Sequence, residues 1–521
     1  MSIYAESYDY NKSFSHINSI NIFRPLAFNH EMCNACTEKF PFRIYYSQTD
    51  AQETSEDKYR TIYVNNYRDL EGSKGEITDL FLNFEQLYAT TPSTIYHIPT
   101  RPQVIQIEGI NTYLGTGEAL SIPPVQLKST DYSFGGNQHF KSRVGTEYGT
   151  FYVDSSSKRP ILLTNQIEDI SLDGMRNFWQ NNGGIELHKQ FELLSANKYP
   201  FKGTTSKVGA GFISTYDPRY KRVIVHKRDF KILPEWENVF QYFPTTTDVT
   251  SGGPTSDGVL WFNGFSYYFN KAGTPRKVFL EDVAYFENKS FTLSYSFVTK
   301  SWVSFHSYLP YYLFNSTNSY FSVNHYDTYY SNIYVHNVEP FQTYYNTKYP
   351  HVIDFIVSNN PLNVQTNQSI VYTSRATTFD HSTQEHTEQP ITYTGATIYN
   401  SKQTNGFNRL IIKDDNFQNE LSNDSMLITK VENQWRFNDM WDLTIDPYQP
   451  IWDSSWAGIQ SSPYSYIDKV PNQSNIDYDK SIFDQARFRD HYLGVRLEYF
   501  APENVKLTTD LVTTMVSNKN R

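Results

Sequence analysis

The two cysteines of this 521-residue chain, Cys33 and Cys36, form a CxxC motif. Two thiolates at this spacing are typical of half a zinc site or of a redox-active dithiol. A structural zinc ion needs further ligands, but no second cysteine pair follows, and the nearby His16 and His30 match no usual zinc-binding spacing. A redox dithiol needs a βαβ context, whereas strand-like sequence follows Cys36. We therefore expect two semi-buried thiols at the entrance to a strand, with neither a metal nor a cofactor.

A second set of candidate residues lies in segment 433–469, which is irregular and rich in proline and aspartate. It contains four tryptophans: Trp435, Trp441, Trp452 and Trp456. Exposed indole rings stack on sugars, so one hypothesis is a carbohydrate-binding or polysaccharide-degrading protein. Glycoside hydrolysis needs two carboxylates at a set spatial separation, which the sequence does not reveal. Because buried rings usually serve packing, we favour tryptophans that fasten this segment to a core.

Other catalytic signatures are weak or missing from the sequence. The stretch "LGTGEA" (114–119) lacks the lysine and the serine or threonine of a phosphate-binding loop, so it predicts a glycine-rich turn. No G-x-S-x-G nucleophile elbow occurs. We therefore predict a protein that is not an enzyme, with no catalytic, cofactor-binding or metal-binding residues.

Composition limits the possible classes of protein. Aromatic residues make up 17% of the chain, and the formal net charge is −10. The densest basic run, "RYKRVIVHKR" (219–228), alternates in a way that predicts a strand with its cations on the solvent face. Since nucleic-acid-binding proteins carry clustered lysine and arginine, the sequence argues against sequence-specific DNA binding. No signal peptide or spanning apolar stretch is apparent, so we expect synthesis in a cytoplasm.

The elements that must position any site are mostly hairpins. Four segments show paired strand patterns separated by turns: 212–227, 259–270 around Asn263-Gly264, 291–310 and 320–337. Aromatic and β-branched residues favour such strands because they pack well on a pleated surface. Recurring antiparallel hairpins indicate a propeller, barrel or sandwich. We predict a mainly β fold, with a β-propeller-like body of antiparallel hairpins favoured.

The remaining patterns complete the predicted organisation. Apolar spacing predicts short helices over 78–90 and over 171–184, the second capped at Ser171 and ending at Gly183-Gly184. A final strand is predicted within 483–500, followed by a polar tail. The predicted domains are an N-terminal arm (1–37), a β-propeller-like body (38–357) and a β-rich C-terminal domain with the tryptophan-rich segment (358–521).

Several stretches together resemble one family, the muzzle or stabilisation proteins in the tails of crAss-like Bacteroides phages. The resemblance covers roughly residues 30 to 345, and it is specific because many motifs agree in order. A looser likeness follows in "FRDHYLGVRLEYF". The ordered motifs are "EKFPFRIYYSQ" (38–48), "EDKYRTIYVNNYRDLEGSKGEITDLF" (56–81), "YLGTGEALSIPP" (113–124), "GGNQHFKSRVGTEYGTFYVD" (135–154), "EDISLDGMRNFWQNN" (168–182), "TYDPRYKRVIV" (215–225) and "SYSFVTKSWVSFHSYLPYYLF" (294–314).

This resemblance implies a structural virion component at the distal end of a short, podovirus-type tail. It implies a propeller-like platform that assembles as a cyclic homo-oligomeric ring, with six copies the expected number. The implied partners are adjacent tail hub or ring proteins and tail fibres, with DNA passing transiently and non-specifically through the channel. A negative charge suits such a conduit, because it discourages adhesion of phosphates. A capsid decoration protein is a third possibility.

Overall fold

The computed structural model gives the fold of most of the chain. Its description covers residues 40–47, 65–100, 103–107, 110–114, 120, 122–128, 134–194, 210–243, 256–263, 266–324, 332–358, 361–380, 382, 385–413, 424–438, 440–452, 471–500 and 504–517. The fold is about 50% strand and 8% helix, which confirms the mainly β class. No helix of these residues is long and apolar enough to span a bilayer.

The chain divides into two compact units, 1–325 and 326–521. The first unit has three helices among its described residues: α1 (Arg176–Asn182), α2 (Glu186–Leu194) and α3 (Pro234–Glu237). Its strands are β1 (Arg43–Tyr45), β2 (Tyr67–Asp69), β3 (Asp79–Asn83), β4 (Gln86–Thr90), β5 (Ile95–Ile98), β6 (Gln103–Ile107), β7 (Ile110–Leu114), β8 (Val125–Gln126), β9 (Val144–Thr146), β10 (Gly149–Asp154), β11 (Arg159–Leu163), β12 (Ile167–Asp169), β13 (Gly211–Asp217), β14 (Arg222–Arg228), β15 (Phe230–Ile232), β16 (Phe240–Tyr242), β17 (Leu260–Phe262), β18 (Tyr267–Lys271), β19 (Thr274–Val278), β20 (Phe286–Asn288), β21 (Phe291–Ser296), β22 (Ser301–Phe305), β23 (Tyr312–Asn315) and β24 (Tyr320–Val323).

Four-stranded sheets organise the first unit. Within the described part of the chain they have the orders β3-β4-β5-β8, β12-β11-β10-β9, β13-β14-β21-β22 and β16-β17-β18-β19. Neighbouring strands are antiparallel except for β16 and β17, which run parallel. Four strands is the size of a propeller blade. The propeller itself stays a prediction.

The hairpins at 212–227 and 291–310 are confirmed. The first forms β13 and β14, and the second forms β21 and β22. Strands β17 and β18 likewise form the hairpin of 259–270, where Phe262 pairs with Tyr267, while Gly264 lies outside the described residues. Strand-like runs separated by turn residues therefore predicted these hairpins, although β13, β14 and β21 are buried along most of their length.

The predicted helix over 78–90 is wrong, because this segment is the hairpin of β3 and β4. Phe81 pairs with Tyr88, and Phe84 and Glu85 form a two-residue turn with φ values of 46° and 64°. Positive φ at both positions defines a type I′ turn, whose twist suits a hairpin. Leu80 and Leu82 are exposed on the edge strand, so apolar residues lie on both faces of β3 and imitate helical spacing.

The predicted helix over 171–184 is confirmed in part. Helix α1 begins five residues later than predicted, because Ser171 lies in a 3₁₀ turn (Ile170–Leu172) that Asp169 caps by accepting the Ser171 N–H at 3.0 Å. Met175 is the residue before the helix, and Gly183 ends it as predicted.

The second unit contains one large sheet. The strands of this unit are β25 (Ile333–Val335), β26 (Thr343–Tyr344), β27 (Thr347–Lys348), β28 (His351–Val357), β29 (Gln365–Asp380), β30 (Glu385–Gln389), β31 (Gly395–Tyr399), β32 (Thr404–Ile412), β33 (Ser425–Val431), β34 (Gln434–Phe437), β35 (Trp441–Asp442), β36 (Ala486–Arg487), β37 (Arg489–Asp490), β38 (Leu493–Tyr499) and β39 (Val505–Ser517). Ten strands form the sheet, in the order β28-β38-β31-β32-β33-β34-β29-β30, with β37 and β39 also paired to β29.

The C-terminal strands refine the predicted ending of the chain. Strand β38 lies within 483–500 as predicted, but it is not the last strand. The segment predicted to be a polar tail contains β39, which pairs with β29 from Thr366↔Ser517 to Thr378↔Val505. Threonine and valine dominate this segment, and both favour strands even where the mean hydropathy is modest. The predicted domain boundaries at 37/38 and 357/358 stay predictions.

Candidate functional site

The sequence-predicted candidates are not gathered into one site. Cys33, Cys36, His16 and His30 lie outside the described residues, as does Trp456. Within the described part of the chain, no group of three or more histidine, cysteine, aspartate or glutamate side chains is arranged to hold a metal ion.

The three described tryptophans of segment 433–469 have different surroundings. Trp435 is 2% exposed and belongs to the core of the large sheet. The guanidinium of Arg487 lies 3.9 Å from the ring centre of Trp441, and covers that half-buried ring. Trp452 packs edge-on against Tyr399, with ring centres 5.0 Å apart. Packing therefore accounts for Trp435, and the other two rings already have protein partners.

A set of charged side chains lies along β14 in the first unit. The expectation of a solvent-facing basic strand is wrong here. Strand β14 lies between β13 and β21, and its five central residues are buried. Because an unpaired buried cation is very costly, its charged residues need acidic partners.

Each cation of β14 has a carboxylate partner. Arg222 Nε lies 2.9 Å from Oδ2 of the fully buried Asp217. Arg228 lies 2.6 Å from Glu281. Lys227, whose side chain is 2% exposed, lies 2.7 Å from Oδ2 of Asp229. Asp217 precedes β14 in the sequence and Asp229 follows it. An acid on each side of a basic strand was the signal that could have predicted these two ion pairs.

The pair of Lys227 and Asp229 joins one strand to two helices. Lys227 Nζ also donates to the carbonyl of Asn182 at the end of α1, at 2.8 Å. Asp229 accepts the backbone N–H groups of Glu186 and Leu187 at 2.8 and 3.2 Å, and so caps the start of α2. Burial raises the pKa of Asp229, while Lys227 and these N–H groups oppose that rise. The two N–H contacts use the carboxylate of Asp229 to fix the start of α2.

Two buried histidines accompany these ion pairs. His226 Nδ1 lies 3.0 Å from both the Phe291 carbonyl and the Thr292 hydroxyl. Burial, with Arg228 nearby, lowers the pKa of His226 to about 3. Burial, with Lys227 nearby, lowers the pKa of His188 to about 4. Both imidazoles are thus neutral at physiological pH, because protonation would place a further charge among buried cations.

Aromatic rings fill the space beside the same sheet. Trp179 of α1 is fully buried, and its ring centre lies 5.3 Å from Trp302, 5.9 Å from Phe291 and 6.1 Å from Phe212. The indole N–H of Trp302 donates to the carbonyl of Ile170 at 2.9 Å. Rings from α1, β13, β21 and β22 therefore form one cluster, which fixes α1 against the sheet.

The segment 135–154 is held by a further buried carboxylate. Asp154 is fully buried, and it accepts the Gly135 N–H at 3.0 Å and the Gln138 amide at 2.9 Å. Gly135 has φ of +76°, and a Cβ on Gly136 would overlap the carbonyl of Pro92. Glycine is needed at both positions, one for its backbone angle and one for the close approach.

The arrangement is suited to rigidity. The paired groups of β14 are buried and already bonded to one another or to the backbone, so they anchor strands and helices. They are not arranged as a nucleophile beside a base in an open cleft. We therefore regard this ion-paired, ring-packed sheet, β13-β14-β21-β22 with α1 and α2, as the structural centre of the first unit.

Comparison with known families gives one match. The sequence model of the family described as "Crassvirus muzzle protein" matches residues 2–326. A comparison with curated proteins finds no relative. The matched range ends where the first compact unit ends, at 325. It includes the segments that meet at the structural centre, namely 168–182, 215–225 and 294–314.

Proposed function

Because this chain belongs to the crassvirus muzzle protein family, we propose that it forms the distal nozzle of a short phage tail, where it retains genomic DNA and then conducts it during ejection. Membership makes the chain a structural component of the virion tail that assembles with other tail proteins. The observation that carries the proposal is the match over 2–326, which spans the whole first unit.

The bonding of the buried ionisable groups supports the proposed non-enzymatic role. The buried charges of β14 and Asp229 serve as ion pairs and helix caps. A catalytic group needs access to a substrate and a proton to exchange. These buried ion pairs and hydrogen bonds make the sheet resistant to deformation. A nozzle under pressure from packaged DNA requires such resistance.

Passage of DNA is favoured by the charge distribution. The chain carries a formal net charge of −10. The basic run 219–228 contains five lysine and arginine residues. The three within β14, Arg222, Lys227 and Arg228, are each paired with an acid inside the fold. The exposed Lys221 lies 3.5 Å from Glu147. Affinity for DNA grows with the number of phosphates that free cations neutralise. We expect a channel wall with few unpaired cations to let DNA slide.

The proposed assembly is a cyclic homo-oligomeric ring, with six copies expected, at the distal end of the tail. Its neighbours in the virion are tail hub or ring proteins and tail fibres. Electron microscopy of purified virions, with antibody or tag labelling of this chain, tests the position. Label at the distal tail supports the proposal, whereas label on the capsid shell indicates a decoration protein.

Mass measurement of the purified full chain tests the ring. A discrete multimer of six copies is the expected result. A strictly monomeric chain that is also missing from virions would overturn the proposal.

The rival carbohydrate-active function has its own test. Incubation with host capsular polysaccharide is expected to release no reducing ends. Release that a single aspartate or glutamate substitution abolishes would establish a depolymerase instead.

A further inference from the structure

The large sheet of the second unit has strand edges without partners among the described residues. Strand β28 pairs with β38 along one side, and its other side pairs with no described strand. Strand β39 pairs with β29 through Ser517, and its other side is likewise without a described partner. An edge presents a row of N–H and C=O groups that is ready to pair with another strand.

These two edges carry few of the features that keep the edge strands of a monomer from pairing with another chain. Strand β28, "HVIDFIV", is mostly apolar, and its Ile356 is 65% exposed. Its one carboxylate, Asp354, accepts a hydrogen bond from Tyr399 at 2.8 Å. Strand β39 is thirteen residues long, contains neither proline nor glycine, and carries two charged residues, Lys506 and Asp510. Natural edges are usually blunted by charges, proline or short length.

A third edge of the same sheet shows the contrast. Strand β30 pairs only with β29 among the described strands, and it carries Glu385, His386 and Glu388, all exposed. This edge is charged and short, as edges that face water usually are. Charged residues are dense on β30 and sparse on β28 and β39, so we infer that another strand covers the last two edges in the assembled protein.

The directions of the two open edges are compatible with head-to-tail assembly. Passing from β28 through β38, β31, β32, β33, β34 and β29 to β39, six pairings are antiparallel and one, β32 with β33, is parallel. An even number of reversals leaves β28 and β39 pointing the same way. Copies related by rotation about an axis along the strands can therefore join β39 to β28 as a parallel pair.

We propose that β39 of one copy pairs with β28 of the next, so that the large sheet continues from subunit to subunit around the ring. This inference rests on the proposed cyclic assembly and names the surfaces that form it. A different edge on each side makes the contact heterologous, and heterologous contacts form a ring when the rotation between neighbouring copies closes. Closure leaves neither edge open.

Lysine substitutions at the two edges test the proposal in the full chain. Ile356→Lys places a charge on β28, and Thr508→Lys, at an exposed position, places one on β39. Val298→Lys is the matched control, because Val298 is also β-branched, is 66% exposed and lies in the turn before β22 of the first unit. Native mass spectrometry is expected to show at least a tenfold loss of the ring in both edge variants and none in the control.

Hydrogen–deuterium exchange decides which edges meet. In the wild-type ring, amides of 351–357 and 505–517 are expected to exchange slowly. In Ile356→Lys, protection is expected to fall over 505–517 as well, although the substitution lies in β28. Loss confined to 351–357 would mean that β28 pairs with another β28, and would overturn the proposal.

The outcomes separate this proposal from the proposed function. Rings that survive both lysine substitutions overturn the edge pairing but leave the nozzle intact. If the wild-type chain forms no ring and is missing from virions, both the proposed nozzle function and the proposed edge pairing are overturned. If Ile356→Lys fails to fold by circular dichroism, Thr508→Lys gives the same test from the other edge.

Discussion

The hydroxyl of Tyr295 in β21 donates a hydrogen bond to Oδ2 of Asp173 at 2.7 Å, across 122 residues of sequence. This hydrogen bond connects the turn before α1 to the sheet. The hydrogen bond from the Trp302 indole to the Ile170 carbonyl is a second connection between the same two parts. Burial, with Asp173 as acceptor, raises the pKa of Tyr295. Two segments that appear as separate motifs in the sequence are thus parts of one packed structure.

Tyr295→Phe tests this tie. The substitution keeps the ring and its packing but removes the donor to a carboxylate, so we expect a loss of about 1–2 kcal/mol in the free energy of unfolding. Urea unfolding measures it. Tyr220→Phe is the control, because Tyr220 is 43% exposed, and it should change stability little. Equal stability of the two variants would show that the bond contributes nothing.

Lys227→Met tests the buried ion pair. Removing the cation leaves the carboxylate of Asp229 buried without its partner, and the expected loss is about 3–5 kcal/mol. Lys289→Met is the matched control, because it breaks a pair with Glu287 at side chains that are 39% and 48% exposed. Exposed pairs contribute about 0–1 kcal/mol. Similar urea midpoints for both variants would contradict the structural role of Lys227.

The fold class and several hairpins follow from the sequence, because runs of aromatic and β-branched residues separated by turn residues predict paired strands. The prediction of a solvent-facing strand was wrong for β14, which is buried on both faces with its cations paired to acids. Alternating charge normally indicates a solvent-exposed face. Asp217 and Asp229 flank β14 in the sequence, but Glu281 comes close to Arg228 only in the folded chain. The structural centre was missed for the same reason, since Trp179 and Trp302 are distant in sequence.

The β3–β4 hairpin was missed because its turn residues are unusual. Phe84 and Glu85 adopt positive φ, which Asn-Gly tolerates far better. Phe84→Asn combined with Glu85→Gly is therefore expected to stabilise the protein by about 0.5–1 kcal/mol. Thermal unfolding measures the gain. A lower unfolding temperature would show that the exposed Phe84 ring contributes packing that outweighs the turn preference.

Substitutions in the tryptophan-rich segment separate packing from sugar binding. Trp435→Ala removes a ring that is 2% exposed, and should cost about 3–5 kcal/mol in unfolding free energy. Trp441→Ala, at a half-buried ring under Arg487, should cost about 1 kcal/mol or less.

Calorimetric titration with capsular oligosaccharides is expected to give no heat of binding. Binding by the wild type that Trp441→Ala abolishes would instead support the carbohydrate hypothesis.

His226 should make stability fall in acid. Its folded pKa of about 3 lies below the ordinary value of 6.5, so the unfolded chain binds more protons between these limits. Stability is therefore complete above pH 6.5 and declines as pH falls toward 3. Between pH 7.5 and pH 5, protonation linked to this one group should lower the free energy of unfolding by about 2 kcal/mol.

The substitution His226→Gln should reduce this loss of stability in acid by the same amount, measured by urea unfolding at both pH values. The control His386→Gln, at an exposed side chain, should not reduce it. An unchanged pH dependence in His226→Gln would show that the buried imidazole already titrates near its ordinary pKa.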